Sequence, residues 1–541
     1  MSILSSRLYI PTFIVAVSAV FLAGCTVDTR DSGSEQELTL AIEGANVFDG
    51  HLDIHKTQID SSMLILRNVF DSLVDINAEG DVVPWLATDW EVSEDGLVYT
   101  FDLRQDVTFH DGEKFTAEAV KLNFEHVLDP QTESASALSK LGGSDVFAGV
   151  EVVDDYRVVL RLNSPFSPLL RNLSSPQLGF YSPSVLVGKR SELAAGGKGV
   201  TVGTGPFIVE KVVPGQNISL LRNDNYEWQS QAATHAGPSQ LTSLTVNVLP
   251  ENTVRIGAMR SGEADIATEL PPSVVNELGS GIIVNVQESS GIPYSLYLND
   301  GFGVFADQKV REGFRSALDI DTAVETIFFG EFDRAWSILS PNTPNAYDSS
   351  IAGSWEFNPE AANAFFEEAG WTERDSQGYR TKDGARLGAR WIAWTPVSSE
   401  HQSLANAFQE NLKDVGFELK RENLEPAQYN EQYGPRTFDL TDWGFDGLDG
   451  DVLRNHLHSD GFQNVSTVVR PEIDQLLERA VATNDPQERE ELYQQVQRWN
   501  NEFVSIIPVY VPAVITAQSD RVEGLEFDST GQPLLYGVSL K

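Results

Sequence analysis

The run Asp442-Trp443-Gly444-Phe445-Asp446-Gly447-Leu448-Asp449-Gly450-Asp451 holds the densest set of chemically useful side chains in the sequence. Four carboxylates alternate there with three glycines and an indole. A carboxylate in a water-poor setting binds an ammonium through a charge-assisted hydrogen bond, stronger than a neutral one. Glycines beside it let a backbone approach a ligand closely. The same composition also suits a plain acidic surface turn. His456-Leu457-His458 follows closely, and His51 and His55 flank Asp53. Imidazoles with carboxylate oxygens would suit Ni²⁺ or Zn²⁺. No full ligand set of fixed geometry can be read off, so a metal or metal chelate is the alternative reading, with His456 and His458 as its residues.

Covalent catalysis is poorly served. There is no G-x-S-x-G elbow, no H-E-x-x-H, no G-x-x-x-x-G-K-[ST] and no G-x-G-x-x-G opening a helix. The 79 acidic residues guarantee carboxylate pairs by chance. No constellation of nucleophile, base and orienter can be nominated, so an enzyme is not expected and no cofactor is implied. A secreted hydrolase is the remote alternative.

The 541 residues carry 38 basic and 79 acidic side chains, a net charge of −41. Such a surface repels phosphate backbones and anionic headgroups, which excludes nucleic acid as a partner. The length calls for two or three packed lobes. The sole cysteine, Cys25, rules out an intrachain disulfide and follows Arg7, the apolar stretch Leu8–Phe21 and Leu22-Ala23-Gly24. This resembles a bacterial lipobox. Residues 1–24 are then a signal peptide and Cys25 the lipidated N-terminus, with 25–37 a polar tether. The anchor is the one membrane contact expected, because acyl chains hold a protein on a bilayer without spanning it.

The elements that must position these groups alternate between helix and strand. Leu38–Ile42 opens the folded body as a strand. Ser62–Val74 has helical apolar spacing. Alternation across Val98–Leu103, flanked by Asp95-Gly96 and Asp111-Gly112, predicts a meander. Thr116 caps a helix through Val127. Strand patterns return at 151–162 and 207–221. Further helices are expected at 309–329, 403–415, 472–483 and 487–503, with strands at 417–420 and 506–511. No repeat of solenoid or propeller period is visible.

From Pro84 the chain reads PWLATDWEVSEDGLVYTFDLRQDVTFHDGEKFTAEAV. This resembles the signature of the peptide- and nickel-binding family of ABC importer solute-binding proteins. It matches at Pro84, Leu86-Ala87, Trp90, Ser93, Asp95-Gly96, Tyr99, Phe101, Leu103-Arg104, Val107, Phe109 to Gly112 and Thr116-Ala117. Later segments agree in order: Gly203 to Phe207, Arg222 to Tyr226, Ser261 to Asp265 and Asp307 to Arg311. The resemblance implies an α/β two-lobe periplasmic-binding-protein-like fold of the class II type. Lobe I would span 38–293 with an inserted subdomain near 78–185. Lobe II would span 294–506, and 507–541 would return to lobe I. Hinge crossovers are expected near Tyr294–Asn299 and Ile506–Val511. The implied partners are a short peptide and an importer's permease and ATPase, with the chain itself a monomer. Trp90, Tyr99, Phe101, Phe109, His110 and Asp111 are expected to serve the scaffold.

In dipeptide-binding relatives a loop of similar Trp, Gly and Asp spacing supplies an aspartate to the peptide's α-ammonium. That role matches Asp446 best. Gly450 stands where many relatives have proline, which leaves Asp449 as the competing choice. Trp443, Trp394, Trp336, Tyr294 and Tyr297 are candidate aromatic walls, and Asn299 a candidate for hydrogen bonds to peptide backbone. Arg334, Arg390 and Arg454 are possible partners for a carboxylate, and their spacing does not choose between them.

Overall fold

The computed structural model describes residues 36–44 and 46–541. The expected signal peptide, Cys25 and nearly all of the tether lie outside the described residues. The sequence's strand signals gather into two principal sheets. In the larger, the order is Ile282–Glu288, Ala513–Ser519, Ile266–Ala267, Glu37–Ile42, Ser243–Val248, Asn217–Arg222 and Phe207–Val213. Glu37–Ile42 runs parallel to both of its neighbours. The smaller sheet has the order Glu418–Leu424, Gly388–Trp394, Leu440–Asp446, Gly291–Leu298 and Ile506–Tyr510. Its first three strands are parallel, and Gly291–Leu298 runs against both of its neighbours. Each sheet carries its own buried core, which makes a two-lobe α/β fold.

The chain passes between the sheets twice. Ile282–Glu288 continues into Gly291–Leu298 across Ser289-Ser290, and Ile506–Tyr510 continues into Ala513–Ser519 across Val511-Pro512. The two passages touch, with Ser289 N donating to Pro512 O at 2.8 Å. Each passage is a two-residue link that joins an edge strand of one sheet to an interior strand of the other. Tyr294 to Leu298 therefore sit inside the smaller sheet, and the first passage falls a few residues before the expected 293/294 boundary.

A four-stranded sheet inserted in the first lobe has the order Ala87–Val92, Val98–Leu103, Arg157–Leu162 and Phe147–Asp154. Alternation along Val98–Leu103 turns Tyr99, Phe101 and Leu103 inward, as a period of two requires. Thr116 Oγ1 caps the helix Ala117–Leu128 by accepting from Ala119 N. The insert reaches the second lobe, where Ser167 N and Oγ donate to Val481 O at 2.9 Å and Ala480 O at 3.1 Å. Signature residues hold this region together. His110 Nε2 lies 2.9 Å from Gly205 O, and Asp111 accepts from Ser182 Oγ at 2.6 Å and Ser184 Oγ at 2.9 Å. Gly203 has to be glycine, because a Cβ there would lie 2.1 Å from Val69 O.

Two helices are shorter than their apolar spacing predicts. The expected helix 62–74 is Asp60–Leu66. Beyond it the carbonyls of Asn68 and Val69 turn away to accept from Phe207 N and Gly205 N, which ends the helical ladder. The expected helix 309–329 divides into Gln308–Ser316 and Ile320–Ile327, because Asp319 caps the second by accepting from Thr322 N. No helix among the described residues is long and apolar enough to cross a membrane.

Candidate functional site

Strand Leu440–Asp446 runs from buried Leu440 and Thr441 out to exposed Phe445 and Asp446. Its end therefore lies at the edge of the second lobe. Parallel strand Gly388–Trp394 ends on the same side, with Trp394 49% exposed. Carboxyl ends of parallel strands are where open α/β sheets bind ligands. Opposite Asp446 in register stands Gly291, directly after the Ser289-Ser290 passage. A Cβ on Gly291 would lie 2.3 Å from Phe445 O, so glycine is needed where the strands close up beside the hinge.

The Asp446 carboxylate makes no hydrogen bond or ion pair among the described residues. Its pKa is pushed up to about 7, first by desolvation and then by the carboxylates of Asp60 and Asp528, with Lys140 opposing. Its neighbours come from separate stretches of the first lobe. Asp60 begins the helix Asp60–Leu66, Lys140 ends the helix Ala135–Lys140 of the insert, and Asp528 lies in the C-terminal return. Burial and Asp528 raise the Asp60 carboxyl, while burial lowers the Lys140 ammonium against the pull of Asp446 and Asp60. Charged groups of the first lobe thus bear on the charge of Asp446 in the second. Sequence reasoning found Asp446 alone. Asp60, Lys140 and Asp528 carry no local motif.

The rest of the acidic run is occupied. Asp442 accepts from Trp391 Nε1 at 2.7 Å and from Tyr294 Oη, with Arg421 at 3.7 Å. Asp449 pairs with Arg489 at 2.7 Å, and Asp451 with Arg454 at 2.7 Å.

Several other candidates are built into the second lobe. Tyr294 is sandwiched between His401 and Tyr510, with ring centroids 4.3 and 4.9 Å away. Tyr297 is 1% exposed and stacks on Trp443 at 4.0 Å. Asn299 is wholly buried, and its amide donates to the carbonyls of Arg436 and Phe438 at 3.0 Å each. These three pack within the sheet that carries the site, with Tyr297 Oη and Asn299 Oδ1 buried and without a hydrogen-bond partner. Trp443 is half-buried, packed between Tyr297 and Tyr433 on the strand that ends at Asp446. Trp336 is half-buried with the Arg334 guanidinium 4.7 Å above its ring. The three candidate arginines are also engaged. Arg334 donates to Pro508 O at 2.7 Å and Val509 O at 3.2 Å, Arg390 pairs with Glu422 at 3.0 Å, and Arg454 holds Asp451.

The histidines do not converge. His456 Nδ1 lies 2.9 Å from Val452 O, and burial presses its pKa down to about 4. His458 instead approaches Glu478 at 3.4 Å and Asp474 at 4.0 Å. His55 meets His126 at 2.9 Å and Gly179 O at 2.8 Å inside the first lobe. Among the described residues no three His, Cys, Asp or Glu side chains gather as a metal site.

A cavity of about 430 Å³ also opens between the lobes, with Asn252 and Pro271 on one side and Phe332, His401 and Tyr510 on the other. Apolar walls with a few polar groups are the usual lining of a ligand site.

Comparison with known proteins agrees with this architecture. The nickel-binding periplasmic protein of Escherichia coli is 27% identical over 85% of this chain and 87% of its own length. Di/tripeptide-binding protein 2 of Pseudomonas aeruginosa is 26% identical over 82% and 84%. The crystal structure of NikA from Brucella suis in complex with Fe(III)-EDTA superposes with a TM-score of 0.80 at 26% identity, covering 93% of this chain and all of that one. The family model "Bacterial extracellular solute-binding proteins, family 5 Middle" matches residues 81–464. A two-lobe frame with two strand passages between its sheets is what a protein that closes on a solute requires, and the chain belongs to the bacterial extracellular solute-binding proteins of family 5.

Proposed function

We propose that this protein captures short peptides outside the cytoplasmic membrane and delivers them to the permease and ATPase of an ABC importer. It is held at the membrane through Cys25 and works as a monomer. The observation that carries the reading is the Asp446 carboxylate, which lacks a partner at the lobe junction while its acidic neighbours in the run are paired. A peptide α-ammonium supplies the missing partner through a charge-assisted hydrogen bond. Trp394 and Trp443 offer apolar surface to the residues that follow. Ligand that touches both Asp446 and the first lobe shifts the population toward the closed form, which is the form a permease can distinguish.

The nickel-binding relative and the Fe(III)-EDTA complex favour a second reading, capture of a metal chelate. The acidic surroundings of Asp446 weigh against it, since chelates rich in carboxylates are repelled by Asp446, Asp60 and Asp528.

Mass spectrometry of ligand released from a soluble version beginning at Thr26, purified without added peptide, tests the choice. A ladder of short peptides is the expected result. A metal or a small carboxylate-rich chelator would overturn the peptide reading.

A further inference from the structure

We infer that Ser167 latches the two lobes to each other, so that a contact outside the acidic run of the binding site sets how slowly a captured solute is released. The inference rests on the reading of the protein as one that captures a solute, and it holds for a peptide and a chelate alike.

The two strand passages are the only covalent links between the lobes. Contacts around Ser167 form a third connection. Ser167 N donates to Val481 O at 2.9 Å and Ser167 Oγ to Ala480 O at 3.1 Å. Both carbonyls belong to the last turn of the second-lobe helix Pro471–Ala482. Carbonyls in a last turn have no partner within their own helix. Arg489 Nε of the next helix reaches Ala480 O at 3.2 Å, and the insert of the first lobe supplies the other donors. One lobe thus caps a helix of the other. The Val481 side chain packs against the first lobe's buried core. Nearby, Gly96 of the insert leaves just enough room for Asn484, whose Nδ2 would lie 3.4 Å from a Cβ there. Arg454, held by Asp451 at 2.7 and 2.8 Å, sets its guanidinium 5.7 Å from the ring of Phe166.

The connection is small and largely polar. When the lobes part, water replaces each hydrogen bond, so one bond shifts the closing equilibrium by only about five-fold. That slows opening without locking it. A bound solute leaves only after both Ser167 bonds break, whereas the open form that admits solute has neither. Weakening the latch therefore speeds release and leaves capture unchanged.

A soluble version beginning at Thr26 contains no cysteine, since Cys25 is the only one in the sequence. The 2.9 Å bond between residues 167 and 481 brings their Cα atoms near the span of a disulfide, about 4.4–6.8 Å. Ser167→Cys combined with Val481→Cys should form one intramolecular disulfide with oxidised glutathione, read by mass. Oxidation in the presence of the dipeptide Ala-Phe should trap it through dialysis, and reduction should free it. No intramolecular disulfide, or equal release from the oxidised and reduced forms, overturns the latch. In stopped-flow measurements Ser167→Ala should release Ala-Phe about five-fold faster, with its association rate and melting curve unchanged. Release at the wild-type rate overturns the role of Ser167. A wild-type protein that does not bind Ala-Phe refutes the peptide reading alone, because the disulfide forms or fails without ligand and still decides the latch.

Discussion

Asp449 Oδ1 accepts a hydrogen bond from Arg489 Nη2 at 2.7 Å, and this one pairing separates it from Asp446 in the same acidic run. Tyr493 Oη and Asp451 N donate to the same oxygen at 3.3 and 2.9 Å. Breaking a largely buried pair leaves an uncompensated charge. Asp449→Asn is therefore expected to cost about 3 kcal/mol of stability in urea unfolding, with little change in ligand affinity. Asp446→Asn should do the reverse. A loss of affinity confined to Asp449→Asn would move the ammonium site to that residue.

Ligand affinity should depend on pH through Asp446. The free protein's carboxyl titrates at about 7, and an ammonium binds the carboxylate form, which lowers that pKa. Binding then releases protons, so affinity rises with pH and levels off above the free-form value. Below it, affinity should fall by up to about ten-fold per pH unit, the limit for one linked proton. Calorimetry in buffers of different ionisation enthalpy measures the release. Asp446→Asn should abolish the slope, and a slope that survives the substitution would assign the proton to another group.

Asn299→Ala should weaken the fold rather than the contact with ligand. It strips the carbonyls of Arg436 and Phe438 of their donor just ahead of strand Leu440–Asp446. Unpaired buried polar groups cost about 2 kcal/mol in such a case. Denaturant melting reads that loss, and titration above the destabilised range should give near-native affinity.

Trp394→Ala should show the opposite pattern. An indole 49% exposed contributes little to stability, within about 0.5 kcal/mol for a surface change. Its loss should weaken peptide binding several-fold, which fluorescence titration can follow. An unaltered affinity would make Trp394 a bystander on the rim.

Local chemistry was legible wherever a few neighbouring residues decide a conformation. Asp95-Gly96 and Asp111-Gly112 make turns because glycine accepts a positive φ, 68° and 89° here. Thr116 caps its helix, and Val98–Leu103 alternates into a sheet. Reading failed where distant groups intervened. Helix Asp60–Leu66 stops because segment 205–207 takes two of its following carbonyls. Nor does the chain around Tyr294 and Tyr297 announce their stacking partners, His401, Tyr510 and Trp443, which come from distant segments.

By itself the sequence determined the family, through the dense run from Pro84 to Ala117, and with it the two-lobe plan. Turn residues, caps and apolar periodicity are short-range and survive in one dimension. Only the tertiary structure separates Asp449, which Arg489 reaches back from a later helix to pair, from Asp446, which has no such partner among the described residues. It alone shows that Asp60, Lys140 and Asp528, far away along the chain, bear on the charge of Asp446. Electrostatic partnership depends on distance in space and on exclusion of water, and neither is written in the spacing of residues along a chain.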